Sequence, residues 1–391
     1  VLTLLSTPSF NSNLFSPSNI ESEQQSKLES LRLALADEKK LFFNRAVSGT
    51  YPPGSIFKVV TALAGLEMGS FDTDTTVDDQ GILEVGEYRY ANWYYTQFGR
   101  TEGLISLVKA IARSNDTYFY KAAEWVGVDG LVKQAENMGF GKKTGIEILG
   151  EKAGLVPNPA WKEKNLGERW FLGNTFHMGI GQGDLLVTPL QQAQMIQVFG
   201  NGGKICRPSL LKDTPSECSS IGVNDEHLMA VQRGMIEACS PGGTAYPFFS
   251  WNEARMSSLG DISVDKLIRE GVIACKTGTA EFGGADERGY RKTHAWFAMT
   301  VSGVDKILKD QVKVLGSTSQ SSLVIDTTPE SARDLGEDRR LWLKKINEQG
   351  FPNSLSIVVL VESDESQPFR EGSRDAAPVA AAIWDWIVGE N

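Results

Sequence analysis

The decapeptide YPPGSIFKVV, residues 51–60, sets two prolines and a glycine ahead of Ser55 and places Lys58 three residues beyond it. Pro52 and Pro53 fix φ, Pro53 holds Pro52 extended, and Gly54 permits a sharp turn. Ser55 then opens an apolar run, Ile56, Phe57, Val59, Val60, Leu63 and Leu66, at helical spacing. The spacing predicts a helix from Ser55 to Gly69, where EMGS supplies a stop. Lys58, one turn on, projects onto the same face as Ser55. That is how a hydroxyl and an amine are brought together.

The rest of the chain frames this stretch. It has 391 residues, 41% apolar and 23% charged, the balance of a folded globular protein. A formal net charge of -10 disfavours nucleic acid and anionic membranes as general partners. No run of about 18 apolar residues is present, so no membrane span is expected. The opening VLTLLSTPSF lacks an initiator Met and a signal-peptide pattern. It reads as a fragment cut at a domain boundary, with any N-terminal anchor outside it.

Cys206, Cys218, Cys239 and Cys275 form no C-x-x-C, and His177, His227 and His294 are scattered. Neither a metal nor a cofactor is expected. Cys206 and Cys218 either close a surface loop in an oxidising compartment or join the other two as small buried hydrophobes. The second reading is favoured.

Residues 1–6 read as a short strand, 7–19 as loop, and 20–36 as helix. Helical spacing flanks RSND (113–116), which places that tetrapeptide in an interhelical turn. Residues 138–159 are Gly- and Pro-punctuated loop, and a helix follows with Pro189 in its first turn and Gly200 just past its end. GVIACKTGTAEF (271–282), HAWFAMTVSG (294–303) and SLSIVVLVES (354–363) are β-prone, and the Ala-rich C-terminus is a packed helix carrying Trp384 and Ile387. The pattern predicts an α+β fold in one domain over 1–391, mostly helical between about 70 and 260. Residues 304–353, charged and containing GSTSQSS, read as a surface insertion between strands. Leu341, Leu343 and Ile346 within it are expected to pack back onto the domain.

Three short motifs carry chemistry: Ser55-Ile-Phe-Lys58, Ser114-Asn115-Asp116 and Lys276-Thr277-Gly278-Thr279. A serine hydroxyl needs a neighbouring base to act as a nucleophile. Lys58 is the candidate base, its pKa lowered by burial and by the positive charge of Lys276. Ser114 offers a proton relay to a leaving amine, and Asp116 a carboxylate to hold Lys58 in register. Thr277 and Thr279 supply hydroxyls for a substrate carboxylate, with Lys276 as counter-charge. The backbone N–H groups of Ser55 and Thr279 are the expected oxyanion hole. His294, ahead of AWF on a strand, reads as structural, and Trp93, Tyr94 and Tyr95 as core or loop anchors rather than a substrate groove.

This set resembles the S-x-x-K, S-D-N, K-T-G signature of penicillin-binding proteins and class A β-lactamases. FGKKTGIEILGEKAGLVPNPAWK, MGIGQGDLLVTPLQQAQ, SPGGTAY, KTGTAE and HAWF, in that order, are similar to the transpeptidase domain of class B penicillin-binding proteins. The resemblance runs over about 1–303 and resumes near 354. It implies a penicillin-binding/serine β-lactamase-like fold, an antiparallel sheet flanked by helices with a helical subdomain inserted. RSNDTYFY leans toward the elongation-type penicillin-binding protein 2 group, which reads S-x-D and puts Asp116 in the motif. The other register aligns Asn115 with the family Asn, through a one-residue shift. Asp116 is preferred, although its carboxylate raises both lysine pKa values and opposes base activation. Asn115, Thr277, Gly278 and Thr279 are the implied substrate-binding residues.

The implied function is a peptidoglycan D,D-transpeptidase, with stem peptides as substrates and β-lactam antibiotics as acylating mimics. The implied location is the bacterial cytoplasmic membrane, with the catalytic domain periplasmic and the anchor and pedestal missing here. Partners would be a membrane glycosyltransferase and cell-elongation proteins. Two alternatives stay open: a D,D-carboxypeptidase or serine β-lactamase, in which water deacylates, and a non-catalytic β-lactam sensor.

Overall fold

A computed structural model of the chain describes residues 1–211, 214–287, 289–309 and 335–389. Helices α1 (Glu21–Ala36) and α2 (Arg45–Ser48) precede the proline turn, a 3-10 turn at Gly54–Phe57 and α3 (Lys58–Glu67). Strand β1 (Thr76–Asp79) pairs with β4 (Gly103–Ser106) around the hairpin β2 (Ile82–Val85) and β3 (Tyr88–Ala91), which leads into α4 (Trp93–Phe98). Then come α5 (Leu107–Arg113), α6 (Asp116–Asn137), α7 (Pro159–Leu166), α8 (Leu172–Gly179) and α9 (Pro189–Gly200). The small pair β5 (Lys204–Cys206) and β6 (Cys218–Ser220) is followed by α10 (Asp225–Ala238), α11 (Phe249–Leu259) and α12 (Val264–Arg269). Strands β7 (Ala274–Phe282), β8 (Lys292–Ser302) and β9 (Ser354–Val361) form an antiparallel sheet in that order, and a helix over Ala377–Val388 closes the chain.

Strand alternation divides the core. Ala274, Ala280, Trp296 and Ala298 face the cluster built by α3, α6, α9 and α10. Cys275, Phe297, Met299 and Val301 face Phe248 and Trp384 on the other side, with the terminal helix. Lys276 pairs with Ala298 and Gly278 with Trp296, which sets them on the first of these faces. A strand covered on both sides is buried at successive positions rather than alternate ones, and β8 is so from His294 to Ser302.

Several local expectations are realised. Pro189 is at the first turn of α9, where Thr188 and Gln191 exchange side-chain and backbone hydrogen bonds as a capping box. Helix Leu335–Gln349 lies in the charged segment, where Leu343 joins the core cluster on the terminal-helix side of the sheet and Ile346 is buried. Leu341 is exposed, a correction to its expected packing. Residues 310–334 of that segment, with GSTSQSS, fall outside the described residues. Residues 1–6 form no strand, a second correction: their apolar run has no partner strand to satisfy its backbone. The cysteines are the third. Cys206 pairs with Cys218 across β5 and β6, and Cys239 with Cys275, so the reading of four unpaired hydrophobes is overturned. The first pair sits at directly opposed positions of an antiparallel ladder, which sequence spacing alone does not reveal.

His294 is buried, stacks on Phe282 at 4.0 Å between centroids, and accepts the Ser363 N–H at Nδ1, 3.0 Å away. Burial lowers its pKa from 6.5 to about 4, the nearby Glu362 only partly opposing this. The unfolded chain therefore binds the extra proton first, and stability falls as pH drops from 6.5 toward about 4. Replacing His294 with Gln should flatten the denaturation midpoint across that window; an unchanged slope would exclude the histidine as its source.

Candidate active site

The turn before Ser55 is held by backbone contacts from three directions. Gly54 adopts φ 56°, and a Cβ there would lie 2.6 Å from the Thr279 carbonyl oxygen and 3.2 Å from the Thr279 nitrogen. Only glycine meets both demands. The Gly54 N–H donates to Gly181 O at 2.8 Å, and the Trp296 indole donates to Pro52 O at 2.9 Å. Gly278 sits under the same turn, where a side chain would crowd Ile56, Trp296 and the Pro53 carbonyl. Ser55 is thereby seated beside the Thr279 peptide of β7. Its hydroxyl makes no hydrogen bond among the described residues.

Lys58 is fully buried at the start of α3. Its ammonium donates to Asp116 Oδ1 at 2.6 Å and to Ser114 O at 2.7 Å, with Ser114 Oγ at 3.4 Å. Ser114 has φ 54°, the left-handed conformation that ends α5 and lets its carbonyl and hydroxyl share one target. Lys276, also fully buried, donates to the Thr277 carbonyl at 3.1 Å. Burial lowers the Lys58 pKa and outweighs the charge of Asp116, which raises it. Burial lowers Lys276 further, the charge of Lys58 adding to the effect and Asp116 again opposing it.

Asp116, not Asn115, faces the lysines. Asn115 caps α6 by accepting the Tyr118 N–H at 2.8 Å and donates to Asp79 at 2.8 Å. Asp116 Oδ2 accepts the Trp93 N–H at 2.9 Å, which brings α4 and its aromatic residues against the motif. Trp93 donates to Arg113 O through its indole, and the Arg113 guanidinium lies 5.0 Å from the Tyr94 ring centre. Thr277 is buried, its hydroxyl 2.8 Å from that of Thr244. His294 stands on the flank of Tyr51, away from the lysines, in a packing role.

Three supporting residues escape a sequence reading. Asp79, buried at the end of β1, accepts from Asn92 Nδ2 (2.7 Å), Asn115 Nδ2 (2.8 Å), Thr117 Oγ1 (2.8 Å), Gly81 N (2.9 Å) and Glu102 N (3.2 Å). Burial works against its charge. Hydrogen bonds from Thr117, Gly81, Asn115 and Glu102 prevail and hold its pKa below the ordinary value. In sequence it is an Asp before a Gly turn, VDDQG, indistinguishable from turn chemistry. Gln182 and Thr244 lie in GIGQGD and SPGGTAY, stretches noted as a pattern without a role for these side chains.

Residues 1–308 match the penicillin binding protein transpeptidase domain family, and the chain belongs to it. It is 32% identical over 255 residues to peptidoglycan D,D-transpeptidase MrdA of Acinetobacter baumannii, covering 62% of this chain and 36% of that protein. The chain thus spans about a third of the length of that curated relative. Among solved structures, PBP2 of Pseudomonas aeruginosa is similar with a TM-score of 0.65 and 27% identity, covering 98% of this chain and 67% of that one. A complex between PBP2 and MreC from Helicobacter pylori gives 0.60 and 29%, covering 76% and 50%. The fold is the penicillin-binding one, with antiparallel strands and flanking helices, as the motifs led one to expect.

Asp79→Ala would leave five hydrogen bonds to one buried carboxylate unmade. It should destabilise the protein by about 3 kcal/mol, as removal of a buried acceptor from satisfied donors does. Denaturant titration reads this directly, and a loss under about 1 kcal/mol would show the anchor to be dispensable.

Proposed function

We propose that this chain is the acyl-transfer domain of an elongation-type peptidoglycan D,D-transpeptidase, and that Ser55 is its nucleophile. One observation carries the reading. An uncommitted serine hydroxyl sits on a turn locked against the Thr279 peptide, one helical turn from a fully buried lysine shared by Ser114 and Asp116. The naming of the Acinetobacter relative as a D,D-transpeptidase supports the substrate class.

Ser55 Oγ attacks the carbonyl carbon of the penultimate D-Ala in a D-Ala-D-Ala terminus, and its proton passes to the neutral Lys58 amine. The oxyanion is received by the N–H groups of Ser55 and Thr279, worth about 2.7 to 4 kcal/mol per donor. The carbon–nitrogen bond then breaks, and the departing D-Ala amine takes a proton relayed by Ser114. An acceptor amine next attacks the acyl-enzyme, gives up a proton through the same groups and restores Ser55. Lys276, with Thr277 and Thr279, offers the counter-charge and hydroxyls for the substrate carboxylate. Asn115 and Gly278 serve by shape, one capping α6 and the other admitting the Ser55 turn against β7.

Two buried lysines face the single carboxylate of Asp116, so the favoured charge state holds one ammonium and one amine. Acylation therefore rises with pH as Lys58 loses its proton. Asp116 raises both lysine pKa values, so Asp116→Asn should move the acidic limb of the acylation profile to lower pH while reducing its plateau. An unmoved limb would make Asp116 a spectator.

The proposed location is the outer side of the cytoplasmic membrane, which the two disulfides favour. Partners of the MreC kind and a membrane glycosyltransferase are proposed on the strength of the Helicobacter relative's complex and the division of labour that cross-linking requires. No helix among the described residues is long and apolar enough to cross a membrane. Intact-mass spectrometry with benzylpenicillin tests the core of the reading. A long-lived adduct on the Ser55 peptide is expected, absent in Ser55→Ala and formed roughly 100- to 10,000-fold more slowly in Lys58→Ala. A labelled Ser55→Ala protein would refute the nucleophile, and an adduct that hydrolyses rapidly would point to water, not an amine, as the acceptor.

A further inference from the structure

The free edge of β7 beside Ser55 is already partly paired, by a side chain. Gln182 Nε2 donates to Thr279 O at 3.0 Å, and Gln182 Oε1 accepts the Glu281 N–H at 3.1 Å. One primary amide thus meets the carbonyl and N–H that a neighbouring strand would meet in an antiparallel ladder. We infer that Gln182 is a positioning residue for acyl transfer, holding the Thr279 carbonyl and the Glu281 N–H so that the backbone of Thr279, and with it the N–H of the same residue, stays aimed at the carbonyl oxygen on which charge develops. The inference rests on the transpeptidase reading and extends it to a residue with no assigned part.

The loop that carries Gln182 is built to hold it there. Gly181 adopts φ 75°, and a Cβ on it would lie 2.1 Å from the Gly54 carbonyl oxygen, so the loop crosses the nucleophile turn at backbone distance. The Gln182 N–H donates to His177 O at 2.8 Å. Beyond it, Asp184 pairs with the buried Lys162 at 3.2 Å, and Leu186 and Val187 bridge to Leu155 and Tyr51. The nucleophile turn, the loop and the strand edge form a closed triangle: Gly54 to Gly181, Gln182 to Thr279, Thr279 to Gly54. Thr279 O keeps a second lone pair for a substrate amide, so Gln182 need not leave when a donor peptide binds. On the Glu281 side the edge is taken, which confines pairing by an extended substrate to the Thr277–Thr279 side.

The experiment compares Gln182→Met, which keeps the volume and removes both bonds, with Gln182→Glu, which keeps the acceptor and loses the donor. Acylation by benzylpenicillin is followed by intact mass over a range of drug concentrations. Affinity for an acylaminomethylboronic acid, whose tetrahedral adduct places an oxygen where the oxyanion forms, is measured alongside. Both variants should acylate about tenfold more slowly at saturation, with half-saturation little changed, and lose the same factor in boronate affinity. That is less than the roughly 100- to 1,000-fold cost of deleting an oxyanion donor outright. A wild-type saturating rate in both variants overturns the inference, as does a slowing that matches the unfolded fraction by denaturant titration or leaves boronate affinity intact. Failure of the wild-type protein to label at Ser55 would instead overturn the transpeptidase reading itself.

Discussion

The ion pair between Lys58 and Asp116 is the constraint on which the arrangement turns. Lys58 is wholly removed from solvent, and an unpaired ammonium there would cost several kcal/mol. Asp116 compensates at 2.6 Å, and the Ser114 carbonyl completes the shell at 2.7 Å. Because Lys58 begins α3 while Ser114 and Asp116 straddle the start of α6, the pair fixes the relation of the two helices as well as the charge. Ser55 and Lys58 occupy one stretch of chain, so whatever fixes Lys58 also fixes Ser55.

That constraint needs support, because Asp116 must be held where it can meet a buried cation. Asp79 provides it at one remove. It holds Asn115 and Thr117, the residues on either side of Asp116, and also Asn92, whose side-chain oxygen accepts the Asp116 N–H at 3.1 Å. The result is a polar network inside an otherwise apolar region. Most of its hydrogen bonds end on a carboxylate, and such bonds are stronger than neutral ones. The hairpin β2–β3 and helix α4 therefore belong to the site's architecture although they carry none of its three motifs.

Sequence patterning made the motifs and the main elements legible because they depend on local chemistry. The proline-glycine break before Ser55, the turn at RSND and the three apolar runs each announce themselves over a few residues. What stayed hidden depends on distance in sequence. The carboxylate of Asp79 is 37 residues before Asp116 and looks like a turn residue until the fold closes over it. The pairing of Cys239 with Cys275 needs the end of α10 to meet β7, and that is a tertiary fact. Residues 1–6 misled in the opposite sense: local apolar character was present, but no neighbouring strand was there to realise it. Leu341 likewise shares a helix with Leu343 and Ile346 but points off the buried face.

The same division of labour lets β7 be both a scaffold and a wall of the site. Its odd-numbered residues are fastened: Cys275 to Cys239, Thr277 to Thr244, and the backbone of Thr279 and Glu281 to Gln182. Its even-numbered residues, Lys276, Gly278 and Ala280, turn to the face where α3 and the Ser55 turn pack. A strand's period of two makes this division available without extra residues. Holding alternate residues leaves those between them accurately placed yet free of the attachments that fix them. Lys276 then needs no acidic partner of its own to keep its position. Burial and the charge of Lys58 lower its pKa, and the Asp116 carboxylate acts on it as it does on Lys58, so one carboxylate serves whichever of the two lysines carries the proton.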